Sequence, residues 1–219
     1  MARQKLPIAV IGLGRFGTAL ALHLSDAGYE VLAVDSQPDV VQRLSGRLSQ
    51  VVCADATDAD ALRDVGVADF MRAVVAIGDD REASILSTSI LSEFGVDDIW
   101  AKALNDQHAA ILRRVGAHHV ILPEQDMGIR LAHLLSGGIL DYFEVDQDYV
   151  VGRVRPPRTV IGERVRDVNF VKKFNVSLAA VKIEFTDSFA HPDPETVLTY
   201  GTELLVCGAP DDIEAFAEE

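Results

Sequence analysis

Residues 8–17, IAVIGLGRFG, constrain this chain more than any other stretch. Ile8 to Ile11 is an apolar run of strand length, and it leads directly into Gly12-Leu13-Gly14-Arg15-Phe16-Gly17. That is G-x-G-x-x-G between a strand and a helix, and each glycine has its own physical task. Gly12 permits the tight turn out of the strand. Gly14 carries no Cβ, so a phosphate can approach the backbone. Gly17 lets the helix lie close to the strand. The free N–H groups and the positive dipole end of that helix favour an anion.

A lone G-x-G-x-x-G decides little, so the flanking sequence must. Thr18 to Ala27 reads as a helix with Ala19, Leu20, Leu22 and Leu24 as apolar surface, and Gly28 is placed to end it. Glu30 to Val34 is a second apolar strand, and Asp35 follows it. The acid comes close to the ~20 residues past the last glycine at which a carboxylate binds ribose hydroxyls. A plain cap or turn is the competing reading of Asp35, and the glycines favour the ribose.

The alternation continues. Helices are expected at Pro38 to Leu48, Asp60 to Val65, Glu82 to Phe94 and Asp106 to Val115. Strands are expected at Gln50 to Cys53, Ala73 to Ile77, Asp98 to Ala103 and Val120 to Leu122, where Pro123 stops the last. This order predicts an α/β fold, a Rossmann-like, doubly wound parallel sheet. The unbroken apolar run AVVAI at Ala73 to Ile77 suits a strand covered on both faces. Such sheets bind ligands at the C-terminal ends of their strands. Arg15, Asp35, Asp55, Gly78 and Lys102 all follow or end strands and can converge there.

Beyond Gln125 the pattern changes. Asp126 to Leu135 reads as a helix broken by Gly137-Gly138, and Ile139 to Val145 leads into a polar Asp146-Gln147-Asp148. Strands are expected at Tyr149 to Val154, Val176 to Phe185 and within Leu198 to Val206. Arg164 to Phe174 and Pro210 to Phe216 read as short helices, and His191-Pro192-Asp193-Pro194 as a rigid loop. The tail is thus a second, smaller α+β domain. The expected division is 1–138, including the helix that crosses over, and 139–219.

Bulk properties exclude several classes. A formal net charge of −14 argues against a nucleic-acid partner and against adhesion to anionic lipid. With 48% hydrophobic residues the chain can bury a real core, yet no apolar run approaches the ~20 residues that cross a bilayer. Met1 to Pro7 lacks the layout of a signal peptide, so cytoplasm is the expected location. The two cysteines, Cys53 and Cys207, lie in strand-like apolar runs and are expected to be buried hydrophobes. His118-His119 is an adjacent pair whose rings should point to opposite faces of a strand, which disfavours a shared metal.

Six segments carry a resemblance: AVIGLGRFGTALA, EVLAVD, ADATD, VVAIG, DIWAKALN and VGAHHVILPEQDMG, spread over Ile8 to Gly128. On these the chain resembles the RCK (KTN) domain regulatory subunits of Ktr and Trk potassium transporters, the TrkA family, and its KtrA-like branch most closely. Arg15 within the glycine loop and the PE-x-DMG element are the specific features. The N-terminal part then corresponds to an RCK nucleotide-binding (TrkA-N) domain. The tail corresponds to an RCK C-terminal (TrkA-C) domain by size and layout.

The resemblance implies ATP or ADP, and in some members NAD(H), at the glycine-loop site. It implies cyclic di-AMP in the C-terminal domain of some members. It also implies a membrane-embedded potassium-translocating partner (KtrB/TrkH-like), assembly of dimers into a ring, octameric in such subunits, and ligand-driven gating at the inner face of the membrane. The implied nucleotide contacts are Gly12, Gly14, Arg15, Phe16 and Gly17 of the loop; Asp35 and Ser36 after the second strand; Asp55, Ala56 and Thr57 after the third; Ile77 and Gly78 after the fourth; and Lys102. Glu124 corresponds to a glutamate that helps hold a divalent cation, magnesium or calcium, beside the phosphates.

Each assignment has a competitor. Arg15 is a phosphate fork or a solvated arginine, and its place at the positive helix end favours the fork. Lys102 is a second phosphate cation or a snorkelling surface lysine. Asp55 meets the adenine edge or caps the following helix. Glu124 is a metal ligand or a helix-start acid. In the tail, Ile161, Val165, Arg166 and the Pro192–Pro194 loop offer apolar walls and a cation for cyclic di-AMP, or an ordinary core edge.

Two other functions compete with a gating subunit: a small NAD(P)-dependent oxidoreductase and an NAD(H)-responsive redox sensor. The first needs a catalytic acid or base beside the nicotinamide, and no Tyr-x-x-x-Lys pair or comparable constellation is present. The second needs a DNA-binding segment, which is missing.

Overall fold

In a computed structural model of the chain, residues 5–135, 138–146 and 148–219 are described. They form two compact units, which divide after Glu124.

The first unit is a six-stranded sheet with strand order β3-β2-β1-β4-β5-β6. Its strands are β1 (Ile8–Ile11), β2 (Val31–Asp35), β3 (Gln50–Cys53), β4 (Arg72–Val75), β5 (Asp98–Lys102) and β6 (His119–Ile121). Every pairing is parallel, and β1 is central, matching Ile8 to Val31 on one side and to Arg72 on the other. The order reverses between β1 and β4, which creates the crevice where doubly wound sheets bind ligands. Helices α1 (Arg15–Asp26), α2 (Pro38–Leu44), α3 (Ala59–Asp64), α4 (Arg81–Glu93) and α5 (Asp106–Arg114) connect the strands. All four residues of β1 are buried, as the unbroken apolar pattern requires. One core cluster holds Ile11, Val34, Val75, Ile99, Leu91 and Leu112; the other holds Val10, Ala33, Ala21 and Leu44.

Asp58, Asp80 and Asn105 cap α3, α4 and α5 by accepting backbone N–H bonds. Asp55, a candidate for the cap of α3, does not cap it; Asp58 does. Asp55 accepts instead from Thr57, two residues on.

Neither cysteine is the buried hydrophobe that its apolar neighbours suggest. Cys53 is exposed and Cys207 only half-buried. Cys53 ends the edge strand β3, whose outer side no neighbouring strand covers. Burial does push the Cys207 thiol pKa up. The histidine pair splits as expected: His118 Nδ1 accepts from Ile99 N–H at 3.0 Å, while His119 stacks on Trp100 at 4.2 Å.

The second unit has an antiparallel sheet in the order β7-β8-β10-β9. Its strands are β7 (Ile139–Asp146), β8 (Tyr149–Val154), β9 (Ser177–Lys182) and β10 (Glu203–Gly208). Helices α7 (Phe170–Phe174) and α8 (Pro210–Glu218) pack on it. The core centres on Phe216, against which the Phe170 and Phe174 rings lie at 6.1 and 4.9 Å. Helix α6 (Pro123–Leu135) begins in the first unit, but from Gln125 onward it belongs to the second. Its side chains explain this. His133 stacks on Tyr142 and bonds Glu214 at 2.6 Å, Arg130 pairs with Asp141, and Leu134 joins the second core. Within the expected Gly137-Gly138 break, Gly137 lies outside the described residues, as does Gln147 of the expected polar turn. Gly138 has φ +84°.

The contact that tolerates least is at Gly17. A Cβ there would sit 1.9 Å from the Gly12 carbonyl oxygen, a backbone atom that no rotamer change can move. Gly17→Ala should destabilise the first unit by about 3 kcal/mol, read as a lowered midpoint in chemical denaturation. A midpoint within error of wild type would show that the helix shifts freely.

Candidate functional site

A cleft of about 910 Å³ opens at the C-terminal end of the parallel sheet. Gly12, Gly14 and Arg15 form one wall, Asp35 and Ser36 the next, Asp55, Ala56 and Thr57 a third, and Ile77 and Gly78 close it. Ten of the expected contacts thus come together from four different strand ends.

Gly12 has φ +89°, and a Cβ there would meet Ile77 Cγ1 at 2.8 Å. A side chain would therefore be both strained and blocked. A Cβ on Gly14 would meet nothing within 4 Å, so its backbone faces open space. Gly14 is the N-cap of α1 and makes no side-chain cap bond, and the first turn of α1 carries no acid. The N–H groups of that turn are therefore left for a ligand. Arg15 stands at the same place as the only charged side chain of the loop.

Asp35 ties the site together. Its Oδ2 accepts from Leu13 N–H at 2.7 Å and its Oδ1 from Gln37 N–H at 2.9 Å. Both oxygens keep lone pairs for ribose hydroxyls. Asp55 Oδ1 accepts from both the backbone N–H and the hydroxyl of Thr57, at 2.8 and 2.7 Å, which hold its carboxyl below the ordinary value.

Four expected residues are not among those lining the cleft. Gly17 serves helix packing, as described. Phe16 lies under Lys102, whose Nζ is 5.9 Å from the ring centroid. Lys102 is buried, and its Nζ would lie 3.1 Å from a Cβ on Gly78, directly behind the cleft wall. It is therefore no snorkelling surface lysine. It donates to Glu124 Oε1 at 2.6 Å, and this bond leads the causes that hold the Glu124 carboxyl low, with the Arg15 charge adding to them. Among the described residues no group of three or more His, Cys, Asp or Glu could by itself hold a metal ion.

The cleft also uses residues that the sequence reading passed over. Gln37, the N-cap of α2, and Val40 and Arg43 within α2 line it. Their three-residue spacing marks one helix face and was visible in the sequence. Asp79 and Asp80 line it after β4, where nothing in the pattern distinguished them from a turn. In the second unit, Arg166 and Arg164 both pair with Glu195, and Arg166 N–H donates to Pro194 O at 3.1 Å. The expected tail residues Arg166 and Pro194 are thus adjacent, with the cation already paired.

These features define a protein with a Rossmann-type cleft on one domain and a small antiparallel domain after it. The TrkA-N domain family model matches residues 8–123 and the TrkA-C domain model residues 153–219. The chain belongs to this TrkA-N/TrkA-C family. It is 36% identical over 214 residues to Ktr system potassium uptake protein C of Bacillus subtilis, spanning 97% of this chain and 96% of that one. Ktr system potassium uptake protein A of Vibrio alginolyticus is 34% identical over 206 residues, spanning 94% and 93%. Among solved structures, the GsuK RCK domain superposes with a TM-score of 0.70 at 18% identity, over all of this chain and 49% of that one. GsuK bound to ADP matches 59% of this chain and 34% of its own at 26% identity and a TM-score of 0.51.

Thr57→Val keeps the N–H donor and removes the hydroxyl, so the Asp55 pKa should rise toward its ordinary value in an NMR titration. The sign follows from the depressed folded value: the stabilisation is complete above the unfolded carboxylate pKa and is lost as pH falls through the lowered one. An unshifted Asp55 in the variant would assign the effect to the backbone alone.

Proposed function

We propose that this chain is the cytoplasmic gating subunit of a Ktr/Trk-type potassium uptake system and takes ATP or ADP in its cleft. The observation that carries the reading is the uncapped start of α1 behind an open Gly14, with Arg15 beside it and Asp35 across from it. The phosphates would lie on the α1 N–H groups and Arg15, the ribose on Asp35, and the adenine toward Asp55, Ala56 and Thr57. The family supports the same assignment, because the relatives are potassium uptake proteins and one of the solved neighbours holds ADP. A GsuK channel bound to NAD keeps NAD(H) among the ligands to be tested. The reading is of a sensor, not an enzyme. It would act at the inner face of the membrane through a KtrB/TrkH-like partner, and no helix among the described residues is long and apolar enough to cross a membrane.

A divalent cation fits this site only if it is shared. Glu124 offers a single carboxylate, and a hard cation takes six or more oxygens, so phosphate oxygens must supply the rest. When bound, magnesium or calcium would neutralise triphosphate charge that Arg15 and Lys102 leave over.

Assembly of copies is part of the proposal. Helix α6 has no fully buried side chain, Leu134 being packed only partly into the second core, and it exposes Met127, Ile129, Leu131 and Leu135. A second copy is the simplest cover, and a ring built from such dimers, octameric in this proposal, follows the family. Cyclic di-AMP in the second unit rests on the family alone, and its phosphate would have to displace Glu195 from Arg166.

One calorimetric series tests the site. Arg15→Ala should weaken ATP by at least about tenfold, the scale of a charge-assisted phosphate contact, and leave adenosine unchanged. Equal loss for both would remove Arg15 from the phosphates. Magnesium should raise wild-type affinity for ATP more than for ADP, and this gain should vanish in Glu124→Gln. Cyclic di-AMP at high micromolar concentration should give heat; none would sink that part. For assembly, Leu131→Asp should lower the sedimenting mass, and an unchanged mass would move the interface off α6.

A further inference from the structure

Lys102 and Glu124 are an unequal pair. The Lys102 side chain is 9% exposed and the Glu124 side chain 66%. A buried ammonium without a counter-charge is costly, so Lys102 must always have an anion beside it. A carboxylate that is mostly in water loses little by returning to it. Lys102 is also fixed in place. It ends β5, its ammonium lies behind Gly78, and the Phe16 ring flanks it. Glu124 stands in the first turn of α6, a helix with no fully buried side chain to hold that turn down. Of the two partners, only Glu124 is free to leave.

Lys102 stands beside the cleft wall: Gly78 lines the cleft, and a Cβ on Gly78 would lie 3.1 Å from Nζ, so the ammonium lies against a wall residue that carries no side chain. Arg15 contributes to the low Glu124 pKa through its charge, which places the carboxylate within the field of the other phosphate cation as well. A phosphate arriving between Arg15 and Lys102 would meet Glu124 as a like charge and as a competitor for the same N–H donors.

We propose that Glu124 is a built-in competitor for the nucleotide phosphates: it occupies Lys102 in the empty site, and a phosphate chain long enough to reach Lys102 takes its place and releases the first turn of α6. This deepens the reading of the cleft as a nucleotide site and rests on it. The exchange costs the nucleotide one ion pair, so it sets a threshold. Adenosine and AMP leave the pair intact. ADP and ATP pass the threshold because they carry further phosphates. The carboxylate thus selects for phosphate number in the absence of any metal, apart from its proposed role as a cation ligand. The helix that carries the chain out of the first unit reports the outcome.

Removing the Glu124 charge should tighten nucleotide binding. In EDTA, Glu124→Gln should bind ADP about tenfold more tightly than wild type, the worth of one charge-assisted bond no longer broken, while adenosine affinity stays the same. Lys102→Gln should weaken ADP, and the double variant should gain nothing over it. Hydrogen exchange supplies a readout that a merely structural role would not move. In wild type, ADP should speed amide exchange in 125–128, and in Glu124→Gln these amides should exchange quickly with or without ADP. Unchanged or weaker ADP binding by Glu124→Gln would overturn the competition, as would slower exchange in 125–128 on adding ADP. If wild type binds neither ADP nor ATP, the nucleotide reading itself falls, and the exchange with it.

Discussion

The first unit depends on how closely α1 can approach the end of β1. A Cβ on Gly17 would stand 1.9 Å from the Gly12 carbonyl oxygen. With hydrogen in its place, the helix starts almost on top of the strand, and its uncapped N–H groups point into the crevice between β1 and β4. Gly12 turns the chain through φ +89° against Ile77, so the fourth strand end also sets the loop. Asp35 then fastens the loop to the second strand end through Leu13 N–H. Three strand ends and one helix start are locked by two glycines and one carboxylate, which explains why a loop can present its backbone to a ligand without its own side-chain cap.

Much of this was legible in the sequence. The glycine spacing, the apolar runs and Asp35 specify a parallel sheet and the place of its cleft, because each follows from strong local rules. Ends of elements were less legible. The run Ala73 to Ile77 reads as one strand, yet β4 stops at Val75: Ala76 N–H still donates to Ile11 O at 2.7 Å, and Ala76 and Ile77 turn on to wall the cleft. Lys102 reads equally as a phosphate cation or a snorkelling surface lysine; only the approach of Gly78, Phe16 and Glu124 shows it to be buried. Cys53 looked buried because its neighbours are apolar, and the strand order that leaves β3 at the edge is not local information.

The second unit was harder to read for a physical reason. Its turns are made by residues that do not advertise turns. The strand expected to run to Phe185 ends at Lys182, and Phe185 takes φ +67°, a conformation that the sequence would have signalled only with glycine or asparagine. The helix expected over Arg164 to Phe174 begins only after Asn169, whose side chain accepts from Lys172 N–H at 2.9 Å. Before it, Val165–Asp167 forms a tighter 3₁₀ turn, held by Thr196 and Pro194 carbonyls from a distant loop. Those bonds are long-range, and no window of local sequence contains both partners.

Charge links the two scales. The chain carries 34 acidic and 20 basic residues, so its long-range field repels an anionic ligand. Six arginines, Arg63, Arg72, Arg130, Arg153, Arg164 and Arg166, each stand beside a carboxylate. Arg15 and Arg43 stand in no such ion pair among the described residues, and both line the cleft; Arg47, Arg81, Arg113, Arg114, Arg155 and Arg158 likewise stand outside these pairs, so it is position, not lack of a partner, that sets the two apart. Attraction for phosphate is therefore local, confined within the ~8 Å over which charges are felt at physiological salt. A ligand is not drawn in from afar; it is selected on arrival by fixed N–H groups and a few placed cations. That favours discrimination among anions by the number and position of their charges over capture of anions in general, which suits the proposed role of the cleft in distinguishing nucleotides.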